Sequence, residues 1–553
     1  MRKMRNSINL TIENLSLPEL AAQMVVVRAS GYLFDHQIRY PEWEPPTNKL
    51  RYWLENLGVG GVILVGGSAA ELAVRSQLLQ SWAKFPLLLA ADIEEGVGQR
   101  FAGATWFPPP MAIGAIAGKS FSQAEALATA MGEITATEAI AIGLNWILAP
   151  VVDVNNNPDN PVINVRAFGE TPDLVSALAT AFIRGTQQYP VLTTAKHFPG
   201  HGDTAVDSHL QLPSLPHSAE RLAEIELPPF QAAISAGVDA VMSAHLLIPE
   251  WDDKWPATLS HQILTGKLRQ ELGFEGLIVT DALVMGAIAG EYGATEAAVL
   301  AVEAGADILL MPQDPEATIK VVCDAVTQGR ISRSRLEISV KRIWQAKTQV
   351  GLFSPPSSSP SVLSILPSSL DVSATILRNS LLVGGALPLQ VENPQNGEFL
   401  RNLIIVDDIL GCEFLGNHTP AIAIPKQLGY KLQIIDDRTE THNQQSLSAP
   451  SNHPSQDRFS STLLQIFIRG NCFRGSAGLT EAATDLFNKL LTTGKLSAII
   501  IYGSPYILEK FLPTLPPSIP YIFSYGQMPT AQAIALETLF NQDLRKASIR
   551  KVC

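Results

Sequence analysis

Residues 196–209, Lys-His-Phe-Pro-Gly-His-Gly-Asp-Thr-Ala-Val-Asp-Ser-His, set three histidines, two aspartates and a lysine within fourteen positions just after an apolar run. Titratable side chains are costly to bury without partners, so a chain with 10 histidines that spends three here needs their protons or lone pairs. His209 follows Asp207 by two residues. On a turn the carboxylate can contact the imidazole, fix its tautomer and favour its protonated form, making a dyad that donates and reclaims a proton near neutral pH. An Asp-x-His pair is also a common surface hydrogen bond, so the dyad needs support from elsewhere in the chain. Metal binding is the local competitor, because His197, His201, Asp203, Asp207 and His209 are all potential ligands. Pro199 and Gly200 interrupt the helix that would aim His197 and His201 at one ion, so no metal is expected.

The elements that must position this segment are short β-rich runs with helical stretches between them. The runs are Gln23 to Arg28, Gly61 to Val65, Pro86 to Asp92, Asn145 to Val152, Val191 to His197, Ala240 to His245, Gly276 to Asp281 and Asp307 to Met311. Most are continuously apolar, as strands buried on both faces are, and eight of them alternating with helices predict a (β/α)8 TIM-type barrel. In such a barrel the active site lies at the C-terminal strand ends. Asp92, Asp153, Lys196 with His197, His245 and Asp281 all fall there, and that convergence is harder to explain by stability alone than any one of them. Asp281 ends the apolar run 276–280, which would hold a carboxylate rigidly at the barrel mouth. That suits the nucleophile of a retaining glycoside hydrolysis, although a helix cap or a barrel ion pair would place an aspartate there too.

Ser122 with Glu125 forms a capping-box pattern before an alanine-rich helix reaching about Ile142, and 335–350 reads as the amphipathic closing helix, stopped at Gly351. The expected barrel domain is 1–353. A Ser/Pro-rich linker at 354–369 separates it from a smaller α/β sandwich domain at 370–553, in which a polar stretch at 436–460 reads as a surface loop. At 553 residues, 46% hydrophobic and 17% charged, the chain can bury two cores, and a net charge of −12 argues against nucleic acid or an anionic membrane as partner. No apolar run reaches the roughly 18 residues of a membrane span or forms a leader, so a soluble, cytoplasmic protein is expected. Cys323, Cys412, Cys472 and Cys553 lie too far apart to suggest a disulfide framework or a zinc site.

The run 196–202 followed by Asp207-Ser208-His209 resembles glycoside hydrolase family 3, and within it the β-N-acetylhexosaminidase branch. The likeness extends from about Leu15 to Phe353, through the segments 149–155, 166–170 and 304–312. It implies that Asp281 is the nucleophile, that His209 is the acid/base assisted by Asp207, and that Asp92, Arg100, Arg166, Lys196 and His197 hold the sugar. It also implies no cofactor, and a carbohydrate substrate such as an N-acetylglucosamine-containing glycan or a cell-wall muropeptide. The family's usual Asp-Gln-Glu-Gly-Gly-Arg segment stands here as Asp92-Ile93-Glu94-Glu95-Gly96-Val97, which is expected to alter the loop around the sugar. A β-glucosidase or β-xylosidase is disfavoured by the dyad loop. A catalytically silent sugar-binding protein is disfavoured by the intact Asp281, Asp207 and His209.

The mechanism implied has Asp281 attack the anomeric carbon while protonated His209 gives its proton to the leaving oxygen. Neutral His209 then activates water, and the anomeric configuration is retained. A histidine left neutral at that stage repels an anionic acceptor less than a carboxylate would, so phosphate is expected to compete with water. Incubation with phosphate and substrate should then yield some sugar 1-phosphate, detectable by phosphorus NMR, and its complete absence would remove the idea.

Overall fold

The computed structural model describes residues 11–206, 211–353, 367–391, 394, 397–409, 412–436, 458–469 and 479–541. The chain divides into two compact units. The first comprises Met1–Phe107, Ser120–Asn157 and Arg166–Leu370; the second comprises Pro108–Lys119, Pro158–Val165 and Asp371–Cys553.

The first unit is built on eight strands, β1 (Val25–Ser30), β2 (Gly61–Val65), β3 (Leu88–Ala91), β4 (Trp146–Ile147), β5 (Thr194–Phe198), β6 (Ala240–Ser243), β7 (Leu277–Val279) and β8 (Leu309–Leu310). Parallel ladders join them in the orders β4-β3-β2-β1-β8 and β5-β6-β7. Parallel bridges Trp146 to Leu192 and Val151 to Lys196 connect β4 to β5, and Val279 to Ile308 connects β7 to β8, so the ring closes. The expected barrel is thus present, each strand overlapping the apolar run that predicts it. The strands are apolar because both faces are covered: Val62, Leu64, Leu88, Leu89, Ala90, Ile278 and Val279 are all fully buried.

At the N-terminal ends of the strands the polar groups do structural work. Asp307, fully buried before β8, accepts from Arg269 at 2.8 Å, Arg342 at 3.1 Å, Ser339 at 2.6 Å and the Ile278 N–H at 3.1 Å. It thereby ties the last two strands to the closing helix Arg333–Gln349, whose first turn is capped by Ser332 accepting from the Arg335 N–H. The helix Phe121–Ala141 starts earlier than the sequence pattern suggests. Its N-cap is Ser120 and no capping box forms at Ser122 and Glu125, because the extended backbone that a cap requires falls at Ser120.

In the second unit, β10 (Phe399–Val406), β11 (Tyr430–Ile435), β12 (Phe459–Ile468), β13 (Leu496–Gly503) and β14 (Tyr521–Ser524) run parallel, and β9 (Leu382–Gly384) adds an antiparallel edge, in the order β11-β10-β12-β13-β14-β9. Alternate residues such as Leu463, Phe467, Ile500 and Tyr502 join the helices Pro420–Gln427 and Pro529–Phe540 in one core. The residues between them, Leu464, Ile466, Ile499 and Ile501, are equally buried, and the helix Leu479–Thr492 packs against β10, β12 and β13. This is the α/β arrangement expected. The sixth, β9, is a three-residue edge whose Leu382 and Val383 are exposed, so it carries no burial pattern to read. The expected linker 354–369 and the polar stretch 436–460 lie largely outside the described residues, and the helix Pro367–Ser380 begins where the linker was expected to end. Among the described residues no helix is long and apolar enough to cross a membrane.

One buried cation stands apart from these ion pairs. Lys347, fully buried in the closing helix, donates to the Gln23 amide oxygen at 2.8 Å, where Trp344 also donates at 3.1 Å. Burial with only a neutral acceptor pushes its ammonium down to about 7. The folded form therefore resists protonation between about pH 7 and the ordinary value of 10.5, and stability should rise with pH across that window. In Lys347→Met, denaturant titrations should give a protein more stable than the natural one at pH 7, with the difference shrinking towards pH 10.5.

Candidate active site

The C-terminal face of the barrel gathers the sequence-predicted residues around one buried carboxylate. Glu94, in the turn after β3, receives Arg166 through both Nε and Nη2 at 2.8 Å, and the Lys196 ammonium at 2.5 Å. Lys196, projecting from β5, also donates to Asp92 Oδ1 at 2.7 Å. Two cations and two anions thus form one network, of which Asp92 is the most open member, with its side chain 30% exposed. Burial opposes the charge on Glu94, but Arg166 and Lys196 outweigh it and hold the carboxyl well below the usual carboxylate range. Burial likewise works against the Lys196 ammonium, and Asp92 with Glu94 hold it above its ordinary value. Arg100, exposed at the rim, donates through Nε to the Asp92 carbonyl at 3.0 Å.

A second buried carboxylate organises the loop that follows β5. Asp153, with no exposed surface, accepts the backbone N–H groups of His197 at 3.1 Å and His201 at 2.7 Å, and its other oxygen meets His197 Nδ1 at 2.7 Å. The carboxylate can only accept, so Nδ1 carries the His197 proton and Nε2 faces Arg166 Nη2 at 3.5 Å. Burial opposes the Asp153 charge, yet the His197 and His201 contacts hold the carboxyl below its ordinary value. His201, buried with Nδ1 against Thr204 Oγ1 at 2.9 Å, is driven down to about 4 chiefly by burial, so it is neutral near pH 7. The negative charges of Asp153 and Asp281 resist that shift without reversing it.

Asp281 stands just past β7, where its Oδ1 accepts the Ala282 N–H at 2.7 Å. The backbone on either side is pinned. Thr280 Oγ1 accepts the Leu310 N–H at 3.0 Å, and His245 Nε2 donates to the Ala282 carbonyl at 3.1 Å while its Nδ1 meets Thr258 Oγ1 at 2.8 Å. Of the predicted site residues, Asp92, Arg166, Lys196 and His197 are thus joined directly, Arg100 through a backbone carbonyl, and Asp281 through the same end of the barrel. Asp207 and His209 lie outside the described residues. Their neighbour Asp203 meets His217 Nε2 at 2.9 Å and Arg221 Nη2 at 3.3 Å.

Glu94 and His201 were not singled out by sequence reasoning. The signal for Glu94 was its place two residues after Asp92, which in an extended chain puts both carboxylates on one side. Two residues of the altered segment are held in place by their neighbours. The carboxylate of Glu95 receives the Trp106 indole N–H at 2.9 Å, and Gly96 must remain glycine, since φ is +81° and a Cβ would stand 2.7 Å from the Phe107 ring. Among the described residues no group of three or more His, Cys, Asp or Glu side chains is arranged to hold a metal ion.

Carboxylates, an ammonium and a guanidinium thus gather at the C-terminal mouth of a closed parallel barrel, the end at which barrel active sites lie. Residues 16–346 match the glycosyl hydrolase family 3 N terminal domain, and 393–541 match the bacterial glycosyl hydrolase family 3 C-terminal domain. The chain belongs to glycoside hydrolase family 3. It is 35% identical over 337 residues to beta-hexosaminidase A of Pseudoalteromonas piscicida, covering 55% of this chain and 56% of that protein. It is 40% identical over 256 residues to a beta-hexosaminidase of Tolumonas auensis, covering 46% and 75% of the two chains. The chain thus spans just over half the length of the first of these relatives. A solved family 3 beta-N-acetylglucosaminidase from Paenibacillus sp. superposes with a TM-score of 0.76 at 30% identity, covering 96% of this chain and 97% of that one.

Replacing Glu94 by Gln would leave Lys196 and Arg166 with one fewer buried counter-charge. The loss of stability at pH 7 should be about 3–5 kcal/mol. Because the folded Glu94 carboxyl lies below its unfolded value, its contribution is present above the ordinary carboxylate range and lost as pH falls through the folded value. The gap between Glu94→Gln and the natural protein in urea titrations should therefore close towards acid pH.

Proposed function

We propose that this protein is a retaining glycoside hydrolase that removes terminal, non-reducing β-linked N-acetylglucosamine, or another N-acetylhexosamine. The observation that carries the reading is the network of Asp92, Glu94, Arg166 and Lys196 on the same barrel face as Asp281. In this reading Asp92, Lys196, His197, Arg166 and Arg100 grip the hydroxyls of the terminal sugar. Charge-assisted hydrogen bonds of this kind are the strong ones and fix the ring's orientation.

The Asp281 carboxylate attacks the anomeric carbon, a bond forms between carboxylate oxygen and sugar, and the bond to the leaving oxygen breaks. His209, held protonated by Asp207, supplies the proton that the leaving oxygen takes. In the second half, neutral His209 removes a proton from water, which displaces Asp281 and releases the sugar with its configuration retained. The names borne by the relatives, the match across 16–346 and the Asp207-Ser208-His209 run in the sequence support the N-acetylhexosaminidase assignment over a β-glucosidase. We further place the catalytic domain at 1–353, the linker at 354–369 and the second domain at 370–553. The substrates include N-acetylglucosamine-containing glycans, cell-wall muropeptides among them, met in the cytoplasm.

The test is turnover of an aryl β-N-acetylglucosaminide beside the matching glucoside. The glucosaminide should be the better substrate, and Asp281→Asn should lower kcat by roughly three orders of magnitude or more. His209→Ala should harm substrates with poor leaving groups far more than those with good ones, which need little protonation. Activity that survives Asp281→Asn would move the nucleophile elsewhere, and equal losses in His209→Ala across leaving groups would contradict the acid role.

A further inference from the structure

Three buried side chains at and beyond the end of β6 have no part in the reaction as described so far. Ser243, His245 and Thr258 have no exposed surface, and they run in line towards the segment that carries Asp281. Ser243 Oγ lies 2.9 Å from Thr258 Oγ1, Thr258 Oγ1 lies 2.8 Å from His245 Nδ1, and His245 Nε2 lies 3.1 Å from the Ala282 carbonyl. The loop that carries Thr258 is fixed in its turn by Asp252, which accepts the Lys254 and Trp255 N–H groups at 3.0 Å each and the Ser260 hydroxyl at 2.6 Å.

Counting protons gives this line a direction. A carbonyl can only accept, so His245 Nε2 must carry a proton to meet Ala282. The Thr258 hydroxyl has one proton and two acceptors within reach, His245 Nδ1 and the Ala244 carbonyl at 2.9 Å. Were it given to Ala244, Nδ1 would have to donate as well, and the imidazole would be a cation with no exposed surface, a state that burial makes costly. The proton therefore goes to Nδ1. Ser243 supplies Thr258 in turn, and the groups form one directed chain in which each bond polarises the next.

The far end of the chain is one residue from the nucleophile. The Ala282 N–H holds Asp281 Oδ1 at 2.7 Å, while the Ala282 carbonyl is what His245 holds. The flanks are tied to the β8 side, with the Thr280 N–H on the Ile308 carbonyl at 3.0 Å and the Leu283 N–H on the Leu310 carbonyl at 2.9 Å. His245 supplies the hold from the β6 side. A rotation at Ala282 would turn the N–H that sets the Asp281 carboxylate, and small displacements of a reacting group are costly in rate.

We propose that Thr258, supplied by Ser243 and donating to His245, is a positioning residue for the nucleophile: it sets the His245 tautomer that holds Ala282, and Ala282 aims Asp281. This rests on the assignment of Asp281 as the nucleophile of an N-acetylhexosaminidase.

The test measures kcat and KM on aryl β-N-acetylglucosaminides with good and poor leaving groups, for the full-length protein and three variants whose folding is checked by melting temperature. Thr258→Val keeps the shape and removes the hydroxyl, so kcat should fall about tenfold with KM within about twofold, the loss falling on the transition state rather than on sugar binding. The fall should be equal across leaving groups, because both the attack by Asp281 and its displacement by water are slowed. Thr258→Ser, which keeps the hydroxyl, should stay within about twofold of the natural kcat. Ser243→Ala, a gentler change, should cost about threefold in kcat, and it decides the matter if Thr258→Val does not fold. An unchanged kcat in the deciding variant, a loss through KM alone, a loss that grows with poor leaving groups, or a Thr258→Ser as impaired as Thr258→Val would overturn the positioning role while leaving the activity assignment standing. A natural protein that turns over none of these glycosides, or an Asp281→Asn variant that stays active, would overturn the assignment and the positioning role with it.

Discussion

The constraint on which the site depends is the Glu94 carboxylate, buried where an isolated charge would be prohibitively costly. It persists because Arg166 and Lys196 meet it from two other segments of the barrel, and each of those cations is tolerable in the interior only because Glu94 and Asp92 are there. The four charges therefore impose one geometry on the turn after β3, the turn 164–166 and the end of β5. A ligand meeting that surface finds donors and acceptors already oriented, so little ordering cost remains at the moment of binding.

Asp153 applies the same logic one layer deeper. A carboxylate that accepts two backbone N–H groups and an imidazole proton locks the start of the loop 199–206 and sets the His197 tautomer. His201, buried and neutral near pH 7, gives its backbone N–H to the same carboxylate. His245 does for the Asp281 segment what Asp153 does for the β5 loop, since its Nε2 proton is committed to the Ala282 carbonyl. Rigid support of this kind separates the two ends of the barrel by purpose. At the opposite end the arginines around Asp307 only bind helix to strand.

How much of this was legible follows from what each feature depends on. The eight strands could be read because burial on both faces demands continuous apolar runs, and their C-terminal residues Asp92, Asp153, Lys196, His245 and Asp281 could be read because the barrel fixes where each strand ends. The start of the helix Phe121–Ala141 was misjudged at Ser122, since two serines flank the true first residue and only backbone conformation distinguishes them. The edge strand β9 was invisible for the same kind of reason: its partner on β14 lies far along the chain, and neither of its apolar residues is buried.

The sequence by itself determined the barrel, the second α/β unit and several of the polar side chains that reach the C-terminal mouth, among them Asp92, Lys196 and Asp281 but not Glu94. These follow from local periodicity and from motifs contiguous in the chain. Only the tertiary structure decided which of those groups act together. That Glu94 bridges Arg166 and Lys196, that Asp153 orients His197, and that His245 holds the Ala282 carbonyl are all contacts between residues tens to about a hundred positions apart. Such pairings arise from burial and charge balance in three dimensions, where the cost of each charge depends on what surrounds it rather than on what precedes it in the chain.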